Sequence, residues 1–369
     1  MVRIAINGFG RIGRIAFRVA TLYHPQDLDI VAVNTSGSMD IEGWAHLLKY
    51  DTTYSKFPGN VTSQEIRKAD KATDETPEIG MLIVNGKNCM VLAQKDPEKL
   101  PWKKYQIDVV VESTGVFTDE SGALKHAKSG AKRVVISAPS RGGNVNTYVL
   151  GVNEYDGKAE VLSNASCTTN CVAPCAAVMH SKFGIEKAVL TTVHGYTDDQ
   201  NLQDNSHKDL RRARAAAQNI VPTTTGAAEA TIETIPELKG IFDGRALRAP
   251  VITGSITDFV FLVKKNVTIE EVNQAFKEAE KMPLYKGILA TTDEPLVSSD
   301  IIGRTESAII DLNLTQVIGG NLVKVFAWYD NEWGYANRLV EQAIRVGQSL
   351  NKTQAPTDEI TEKFHALGQ

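Results

Sequence analysis

Short apolar runs alternate with amphipathic stretches along the first half of the chain. Val2–Asn7 is an apolar run typical of a buried strand, and Arg11–Tyr23 repeats its apolar residues at helical spacing. Another apolar run at 29–34 follows, so strand, helix and strand predict a βαβ unit with parallel strands. Later segments extend this pattern: strands at 107–112 and 133–137, with a helix at 120–129 between them.

The second half has a different pattern, in which longer alternating strands precede separate helices. This order predicts an α+β domain with a largely antiparallel sheet. The predicted strands are 187–194, 246–264, 307–312 and Leu322–Tyr329, and the predicted helices are 172–182, 268–281 and 333–348. The polar stretch at 62–78 is predicted to be a surface excursion, and residues 351–369 a loosely attached polar tail.

The length and composition describe an ordinary two-domain globular protein. The chain has 369 residues, 42% of them hydrophobic and 23% charged, with a net charge of -4. This charge argues against general binding to nucleic acid or anionic membranes. Four cysteines do not make a disulfide framework, and no apolar run approaches the roughly 20 residues needed to cross a bilayer. With no signal-peptide pattern at the start, we expect a cytoplasmic protein.

A glycine-rich turn joins the first strand to the first helix. Its sequence is Gly8-Phe9-Gly10-Arg11-Ile12-Gly13, a G-x-G-x-x-G motif in the strand–turn–helix context that dinucleotide binding requires. The first glycine permits the tight turn, the second admits a pyrophosphate and the third lets helix and strand pack closely. The alternative is a purely structural glycine turn. The motif predicts an α/β Rossmann-type dinucleotide-binding domain.

The end of the second strand lacks an expected carboxylate. An acidic residue about 20 positions past the glycines usually holds the ribose 2′-hydroxyl, whereas this chain has Asn34, Thr35 and Ser36. No carboxylate would repel a 2′-phosphate here, so NADP as well as NAD becomes a candidate cofactor. The alternative is that these residues only turn the chain. Further cofactor contacts are expected at the carboxyl ends of the next strands, at Ser113, Gly115 and Ser137.

The segment Ser163-Asn164-Ala165-Ser166-Cys167-Thr168-Thr169-Asn170-Cys171 presents a candidate nucleophile. Cys167 precedes a predicted helix, whose dipole favours the thiolate, and Ser166 and Thr168 add hydroxyls for an anionic substrate. Cys171 and Cys175 follow at intervals of four. They could form a metal cluster, a disulfide set or a packing stripe; this spacing disfavours metal, and we expect packing residues.

A catalytic base and anion-binding residues are predicted in the second half. His194 ends a predicted strand, and an active cysteine needs such a partner, although sequence separation does not establish proximity. The other histidines, His126 among them, are expected to be structural. Anion-binding candidates are Thr197, Thr225, Gly226 and Arg248. The basic segment at 207–214 is either a nucleic-acid arm or, as we favour, a loop ion-paired to a neighbouring subunit.

Taken together, these segments resemble the phosphorylating glyceraldehyde-3-phosphate dehydrogenase family, as far as about Ser349. The resemblance rests on the glycine motif, the Cys167 segment and several further matches in the same order: Leu47-Leu48-Lys49-Tyr50-Asp51, Glu112-Ser113-Thr114-Gly115-Val116-Phe117, Asp209-Leu210-Arg211-Arg212-Ala213-Arg214 and Trp328-Tyr329-Asp330-Asn331-Glu332-Trp333-Gly334-Tyr335.

The resemblance implies roles for individual residues. Cys167 corresponds to the nucleophile and His194 to the base that forms a thiolate–imidazolium pair with it. The attacking inorganic phosphate is implied at Ser166, Thr168, Thr225 and Gly226, and the substrate's own phosphate at Thr197 and Arg248. Asn331 is implied to hold the nicotinamide carboxamide, with Tyr335 nearby. The loop at 197–220 is implied to line the cofactor pocket and the interface of a homotetramer.

The resemblance also implies where the domains begin and end. It implies a dinucleotide-binding domain at 1–166, a catalytic domain at 167–332, a helix at 333–349 that returns to the first domain, and a tail at 350–369. The implied reaction oxidises glyceraldehyde 3-phosphate to 1,3-bisphosphoglycerate, with NAD or NADP and inorganic phosphate. Two alternatives stay open: erythrose-4-phosphate dehydrogenase, and a non-catalytic nucleotide- or RNA-binding homologue.

Departures from NAD-specific relatives concern the cofactor. Thr35 stands where those relatives have an acidic residue, and Ser206 where they have Pro. Lys95 aligns with a basic residue that flanks the adenosine site. These departures predict that NADP is accepted.

Overall fold

A computed structural model describes residues 1–350, so the predicted tail from 351 onward lies outside the described residues. The chain divides into two compact units. The first unit contains Met1–Tyr148, Tyr155–Ala165 and the described chain from Ala336 onward. The second unit contains Val149–Glu154 and Ser166–Tyr335.

The first unit is built on a nine-stranded, mostly parallel sheet. Its strands are β1 Val2–Asn7, β2 Leu28–Thr35, β3 Val61–Glu65, β4 Glu78–Val84, β5 Lys87–Ala93, β6 Val109–Glu112, β7 Arg133–Ile136, β8 Asn146–Thr147 and β9 Val161–Ser163. Its helices are α1 Arg11–Tyr23, α2 Ile41–Lys49, α3 Trp102–Tyr105 and α4 Glu120–Lys128. The strand order is β3-β4-β5-β2-β1-β6-β7-β9-β8, and only the β3–β4 and β4–β5 pairs are antiparallel.

The predicted β1 and α1 are confirmed at both ends, and β2, β6, β7 and α4 to within two residues. The surface excursion expected at 62–78 is wrong in part, because β3 pairs along the edge of the sheet and β4 begins at Glu78. The β4–β5 hairpin turns at Asn85 and Gly86, which both have positive φ. This Asn-Gly pair is a type I′ turn signal that the sequence carried.

The second unit is built on an eight-stranded sheet. Its elements are α5 Cys167–Phe183, β10 Ile185–Gly195, β11 Val221–Thr223, α6 Ala227–Thr234, β12 Phe242–Ala249, β13 Ser255–Val263, α7 Ile269–Lys281, β14 Leu289–Thr292, β15 Ala308–Asp311, β16 Gln316–Ile318 and β17 Leu322–Tyr329; α8 Trp333–Ser349 follows. The order is β11-β12-β10-β13-β17-β15-β14, with β16 beside β17. Only β10–β12 and β14–β15 pair in parallel, which confirms the largely antiparallel sheet.

Two predicted boundaries in the second unit are wrong. The single strand expected at 246–264 is two strands, because Pro250 has no N–H to donate and Gly254 has a φ of +88°. Helix α5 begins at Cys167, five residues before the expected start at 172, because Ser166 caps it: the Ser166 Oγ accepts a hydrogen bond from the Thr169 N–H at 3.1 Å.

Strand β13 shows how the alternating pattern produces the core. Along this strand buried and half-buried residues alternate, and Phe259 and Phe261 stack on the buried face with ring centroids 5.4 Å apart. Helix α5 packs against this strand. Burial of each phenylalanine contributes about 2 kcal/mol. Among residues 1–350, no helix is long and apolar enough to span a membrane.

Candidate active site

The glycine loop of the first unit leaves its backbone open at one position. A Cβ on Gly8 would lie 2.7 Å from the Thr114 nitrogen, and one on Gly13 only 2.0 Å from the Gly8 carbonyl oxygen. A Cβ on Gly10 would meet nothing within 4 Å. Gly10 is also the N-cap of α1 and, as a glycine, has no side chain that could accept a capping hydrogen bond. The first-turn N–H groups of an α-helix have no carbonyl partner one turn earlier, so this end of α1, beginning at Arg11 and Ile12, suits a pyrophosphate.

The buried carboxylate of Glu112 forms hydrogen bonds with residues next to this loop. Glu112 accepts hydrogen bonds from the Asn7 Nδ2 at 2.5 Å and from the Thr114 N–H at 2.8 Å. The His126 Nε2 lies 3.0 Å from the same carboxylate, and the Trp102 Nε1 donates to the His126 Nδ1 at 2.9 Å. Because Nδ1 accepts, the proton of His126 lies on Nε2 and donates to Glu112. His126 is structural, as expected, whereas the role of Glu112 was missed by the sequence analysis.

The remaining predicted contacts of this unit lie at strand ends. The Ser113 hydroxyl donates to the Gly8 carbonyl at 2.8 Å and so closes the loop. Gly115 has a φ of +72°, with nothing within 4 Å of its missing Cβ. Ser137 follows β7, and its N–H donates to the Glu112 carbonyl at 2.8 Å. These three residues follow β6 and β7, at the carboxyl ends of neighbouring strands.

At the end of β2, Thr35 and Ser36 differ in how available their hydroxyls are to a phosphate. Thr35 is buried, its hydroxyl donates to the Leu92 carbonyl at 3.0 Å, and the same oxygen accepts from the Gly37 N–H at 3.3 Å. The Thr35 hydroxyl is thus used within the fold. Ser36 is exposed and remains available.

Asn34 joins the end of β2 to the turn after β5. Its Nδ2 donates to the Asn7 Oδ1 at 2.7 Å, and its Oδ1 accepts from the Gln94 N–H at 3.0 Å. Lys95 follows Gln94 directly and is exposed. The side chain of Asn34 is therefore a fixed part of the scaffold, and Lys95 is the cation nearest in sequence to this junction.

Cys167 is the first residue of α5 and lies beside His194. The Cys167 Sγ is 3.3 Å from the His194 Nε2. The side chain is half-buried, and the helix dipole stabilises negative charge at this position. The sequence analysis identified both residues, and the fold brings them within hydrogen-bond distance.

Strand register orients the imidazole. His194 pairs with Arg248 across the parallel strands β10 and β12. The His194 Nδ1 lies 2.6 Å from the Gly195 carbonyl oxygen, which can only accept, and 3.3 Å from the Arg248 Nη1, which can only donate; the shorter contact places the proton on Nδ1. The lone pair of Nε2 then faces the Cys167 sulfur. This tautomer is the one a general base requires.

Burial sets the protonation of this pair. Burial raises the pKa of the Cys167 thiol, although the Arg248 charge and the Thr168 hydroxyl oppose the shift. Burial and the same arginine lower the pKa of His194 to about 3. At neutral pH these shifts favour a thiol beside a neutral imidazole. The ion pair that the resemblance implies would require transfer of the proton from sulfur to Nε2.

A chain of charged and hydroxyl groups extends from Arg248. Its guanidinium donates to the Thr197 Oγ1 at 2.6 Å and to the Gly195 carbonyl at 3.3 Å. Thr197 in turn donates to the carboxylate of Asp199, which forms an ion pair with Arg212 at 2.5 Å. Although burial opposes it, this hydrogen bond and the two arginines hold the pKa of Asp199 below its usual range. The sequence analysis identified Thr197 and Arg248 but missed Asp199.

Two arginines of the basic segment at 207–214 form ion pairs within the chain. Arg212 pairs with Asp199 and Asp209, and Arg214 pairs with Asp204 at 2.6 Å. These ion pairs lie within the chain, and the expected pairing to a neighbouring subunit stays a prediction. Ser206 is exposed in the same loop.

Two of the hydroxyls predicted to bind phosphate also form hydrogen bonds at helix N-termini. Ser166 caps α5, and the Thr168 Oγ1 lies 4.0 Å from the Cys167 sulfur. Helix α6 packs against α5, and Gly226 precedes its first residue, exposed and with open space at its missing Cβ. The Thr225 Oγ1 accepts a hydrogen bond from the Ala227 N–H at 3.2 Å. Two helix N-termini thus provide backbone donors suited to an anion.

Tyr329 is a residue that the sequence analysis quoted in a motif without giving it a role. Its buried hydroxyl lies 3.0 Å from the Thr168 Oγ1 and 2.8 Å from the Thr192 Oγ1. Its ring meets the His194 ring edge-on, with centroids 5.9 Å apart. Strand register brings these groups together, since β10, β13 and β17 are neighbours in the sheet. Tyr329 therefore fixes both Thr168 and the imidazole.

Asn331 is oriented by three donors. Its Oδ1 accepts from the Thr253 Oγ1 at 3.0 Å, the Gly254 N–H at 3.2 Å and the Ser255 Oγ at 2.8 Å. These bonds fix the amide plane at the end of β17. Tyr335 is buried in the first turn of α8.

The other cysteines lie in the interior. Cys171 and Cys175 are fully buried, as is almost all of Cys89, and all four cysteines are free thiols. This burial confirms the prediction that Cys171 and Cys175 are packing residues. Within residues 1–350, no group of three or more potential ligands suits a metal ion.

Comparison with known proteins gives a consistent result over nearly the whole chain. Residues 2–120 match the family model "Glyceraldehyde 3-phosphate dehydrogenase, NAD binding domain", and residues 166–331 match that of its C-terminal domain. The chain is 51% identical to glyceraldehyde-3-phosphate dehydrogenase 2 of Streptomyces avermitilis, over 95% of this chain and 99% of the relative. It is 50% identical to glyceraldehyde-3-phosphate dehydrogenase 2 of Trichormus variabilis, over 94% and 99%. It is 49% identical to the chloroplastic enzyme A of Chlamydomonas reinhardtii, over 93% and 88%.

Proposed function

The chain belongs to the glyceraldehyde-3-phosphate dehydrogenase family, and on this premise we propose that it catalyses the reversible phosphorylating oxidation of glyceraldehyde 3-phosphate to 1,3-bisphosphoglycerate. The observation that carries the proposal is the 3.3 Å separation of the Cys167 Sγ from the His194 Nε2, next to Arg248. A nucleophile, a base and an anion-binding arginine are the groups that an aldehyde phosphate requires.

The first step is addition of Cys167 to the aldehyde carbon. The His194 Nε2 accepts the thiol proton as sulfur attacks, and the developing thiolate is stabilised by the N-terminus of α5 and by Arg248. Arg248 and Thr197 hold the substrate's own phosphate. Addition gives a thiohemiacetal on Cys167, and protonated His194 donates to its oxyanion.

Oxidation converts this adduct into a thioester. The open backbone at Gly10 and the first N–H groups of α1 would hold the dinucleotide, which would supply the hydride acceptor when bound. His194 removes the hydroxyl proton as the carbon is oxidised. The thioester keeps the acyl group activated for transfer.

Inorganic phosphate then attacks the thioester and releases the acyl phosphate. Ser166, Thr168, Thr225 and Gly226 provide the donors for this phosphate, at the N-termini of α5 and α6. Sulfur leaves as the thiolate, and the proton on His194 returns to it. Phosphorolysis, in place of hydrolysis, distinguishes this reaction from that of an erythrose-4-phosphate dehydrogenase.

For the cofactor, we propose that the protein accepts NADP as well as NAD. The buried hydroxyl of Thr35 is committed to the fold, so Ser36 and Lys95 are the side chains of the first unit that would bind a 2′-phosphate. No carboxylate at the end of β2 opposes them. From the resemblance we also assign a role to Ser206 in this preference, and we propose a cytoplasmic homotetramer.

Initial rates with both dinucleotides, with and without inorganic phosphate, test the proposal. We expect turnover of glyceraldehyde 3-phosphate only with phosphate present. Faster, phosphate-independent turnover of erythrose 4-phosphate would contradict the assigned reaction. An NAD preference of a hundredfold or more in kcat/KM would contradict NADP acceptance alone.

A further inference from the structure

The segment at 66–76 borders the end of β2 in the first unit. The Ala69 N–H donates to the Asp40 Oδ1 at 2.7 Å, which ties the segment to the start of α2. A Cβ on Gly37 would lie 3.9 Å from the Ala69 carbonyl oxygen and 3.4 Å from the Ala93 Cβ. In dinucleotide-binding folds, the ribose next to the adenine lies at the end of this second strand. The segment is therefore a neighbour of the ribose site.

Asp74 connects this segment to the turn that follows β5. One carboxylate oxygen accepts from the Gln94 Nε2 at 3.0 Å, and the other pairs with the Lys99 Nζ at 2.5 Å. The Gln94 Oε1 accepts from the Asp96 N–H at 2.9 Å. Both ends of the Gln94 amide are thus fixed, and Asp74 supplies one of the two restraints.

Lys95 stands between the two residues that this network restrains, Gln94 and Asp96. It is exposed and has no ion-pair partner among residues 1–350, although Lys99 close by is paired. Strands β2 and β5 are parallel neighbours with Thr35 opposite Ala93, so Lys95 follows β5 at the same edge where Ser36 follows β2. An unpaired cation at this edge suits a phosphate on the ribose.

We propose that Asp74 is a positioning residue for cofactor selection: through Gln94 it holds the turn at 94–96 so that Lys95 stays beside the 2′-phosphate of NADP. The inference rests on the proposed use of NADP. In this proposal Asp74 acts through Gln94 and Lys95, with no contact of its own to the dinucleotide. It acts by reducing the number of conformations that Lys95 must lose on binding.

The sign of the effect separates positioning from simple electrostatics. Asp74 is an anion close to a site for another anion, so a purely electrostatic role predicts that removing its charge improves NADP binding. Positioning predicts the opposite for Asp74→Ala, which loses the acceptor for Gln94. Asp74→Asn keeps an acceptor and loses only the charge.

The test measures kcat and KM for NADP and NAD in the full-length protein. For Asp74→Ala we expect the ratio of kcat/KM for NADP to kcat/KM for NAD to fall about fivefold. The fall should come from a higher KM for NADP, while kcat stays within about twofold of wild type. Asp74→Asn should keep the wild-type ratio or raise it. Asp70→Ala is the matched control, because Asp70 lies in the same segment and its ion pair within residues 1–350 is with its neighbour Lys71.

A double-mutant cycle with Lys95→Ala completes the experiment. If Asp74 acts through Lys95, the double variant Asp74→Ala/Lys95→Ala has the ratio of Lys95→Ala alone. Three results would overturn the inference and leave NADP use standing. They are additive effects of Asp74→Ala and Lys95→Ala, an NADP-to-NAD ratio for Asp74→Ala above that of wild type, and a ratio for Asp74→Ala equal to that for Asp70→Ala. A wild-type protein without NADP turnover would overturn the proposed cofactor use and this inference with it.

Discussion

The two units of the chain prepare their sites by different means. In the first unit the dinucleotide site is a contiguous loop, in which Gly8 and Gly13 allow close packing and Gly10 leaves backbone exposed. In the second unit the reacting groups are side chains far apart in sequence, and packing of α5 against β10 brings Cys167 to His194. The first site depends on the absence of side chains, and the second on their orientation.

This difference predicts different sensitivities to mutation. A loop that uses backbone donors fails when an added methyl group blocks packing or access, so its failures affect folding or cofactor affinity. A site made of oriented side chains fails in the chemical step while the fold and cofactor affinity remain. The following experiments separate these two kinds of failure, from the largest expected effect to the smallest.

Removing the nucleophile tests the second unit most strongly. Cys167→Ala should lower kcat on the order of 10⁴-fold, because no other group can form the thioester. Dinucleotide affinity, measured by titration calorimetry, should stay within about threefold of wild type. Cys175→Ala is the control, a buried cysteine on the same helix, and it should keep nearly full activity. Comparable turnover by Cys167→Ala would contradict the assigned nucleophile.

Adding one methyl group at two positions of the glycine loop tests the first unit. Gly13→Ala should lower the free energy of unfolding by about 3 kcal/mol, because its Cβ would lie 2.0 Å from the Gly8 carbonyl oxygen. Gly10→Ala should keep wild-type stability within about 1 kcal/mol and weaken dinucleotide binding about tenfold. Urea unfolding and cofactor titration measure the two effects. Equal stability of both variants would contradict the packing role of Gly13.

The Tyr329 hydroxyl tests orientation without removing a reacting group. Tyr329→Phe should lower kcat about tenfold, because Thr168 and Thr192 lose their shared hydrogen-bond partner, while the ring contact to His194 and the dinucleotide affinity are kept. Steady-state kinetics and cofactor titration check this split. Tyr285→Phe, another buried tyrosine of the second unit, is the control, and an equal loss in both variants would indicate a general packing effect.

The buried imidazole should make stability depend on pH. The pKa of His194 is lowered to about 3 in the folded protein, so between pH 6.5 and about 3 the unfolded chain binds a proton that the folded chain does not. Stability therefore falls as pH falls, by about 1 kcal/mol from pH 6.5 to 5.5 for this group. Urea unfolding of wild type and His194→Asn at both pH values checks the difference. The same pH dependence in both proteins would contradict it.

Local patterns predicted a large part of this arrangement. The ends of β1 and α1 follow from an apolar run, a glycine turn and helical spacing, all within about 20 residues. The beginning of α5 could also have been found, because Ser166 has the chemistry of an N-cap. The prediction of a single strand at 246–264 was wrong because Pro250 and Gly254 interrupt the alternating pattern and end one strand before the next begins.

The fate of individual polar side chains could not be predicted in the same way. Thr35 stands where NAD-specific relatives have an acidic residue, but its hydroxyl is bonded to a strand 57 residues away in sequence. Tyr329 meets Thr168 across a separation of 161 residues. Such pairs depend on strand order and register, which no local spacing encodes.

By itself, the sequence determined the glycine loop, the position of Cys167 at a helix N-terminus and the candidate set that includes His194 and Arg248. These features are local, because a turn, a cap or a helix dipole is set by neighbouring residues. Tertiary structure alone decided that Nε2 of His194 faces the sulfur and that Thr35 is committed to the fold. Hydrogen bonds between distant strands select the orientation of each such group, and orientation determines whether it can react.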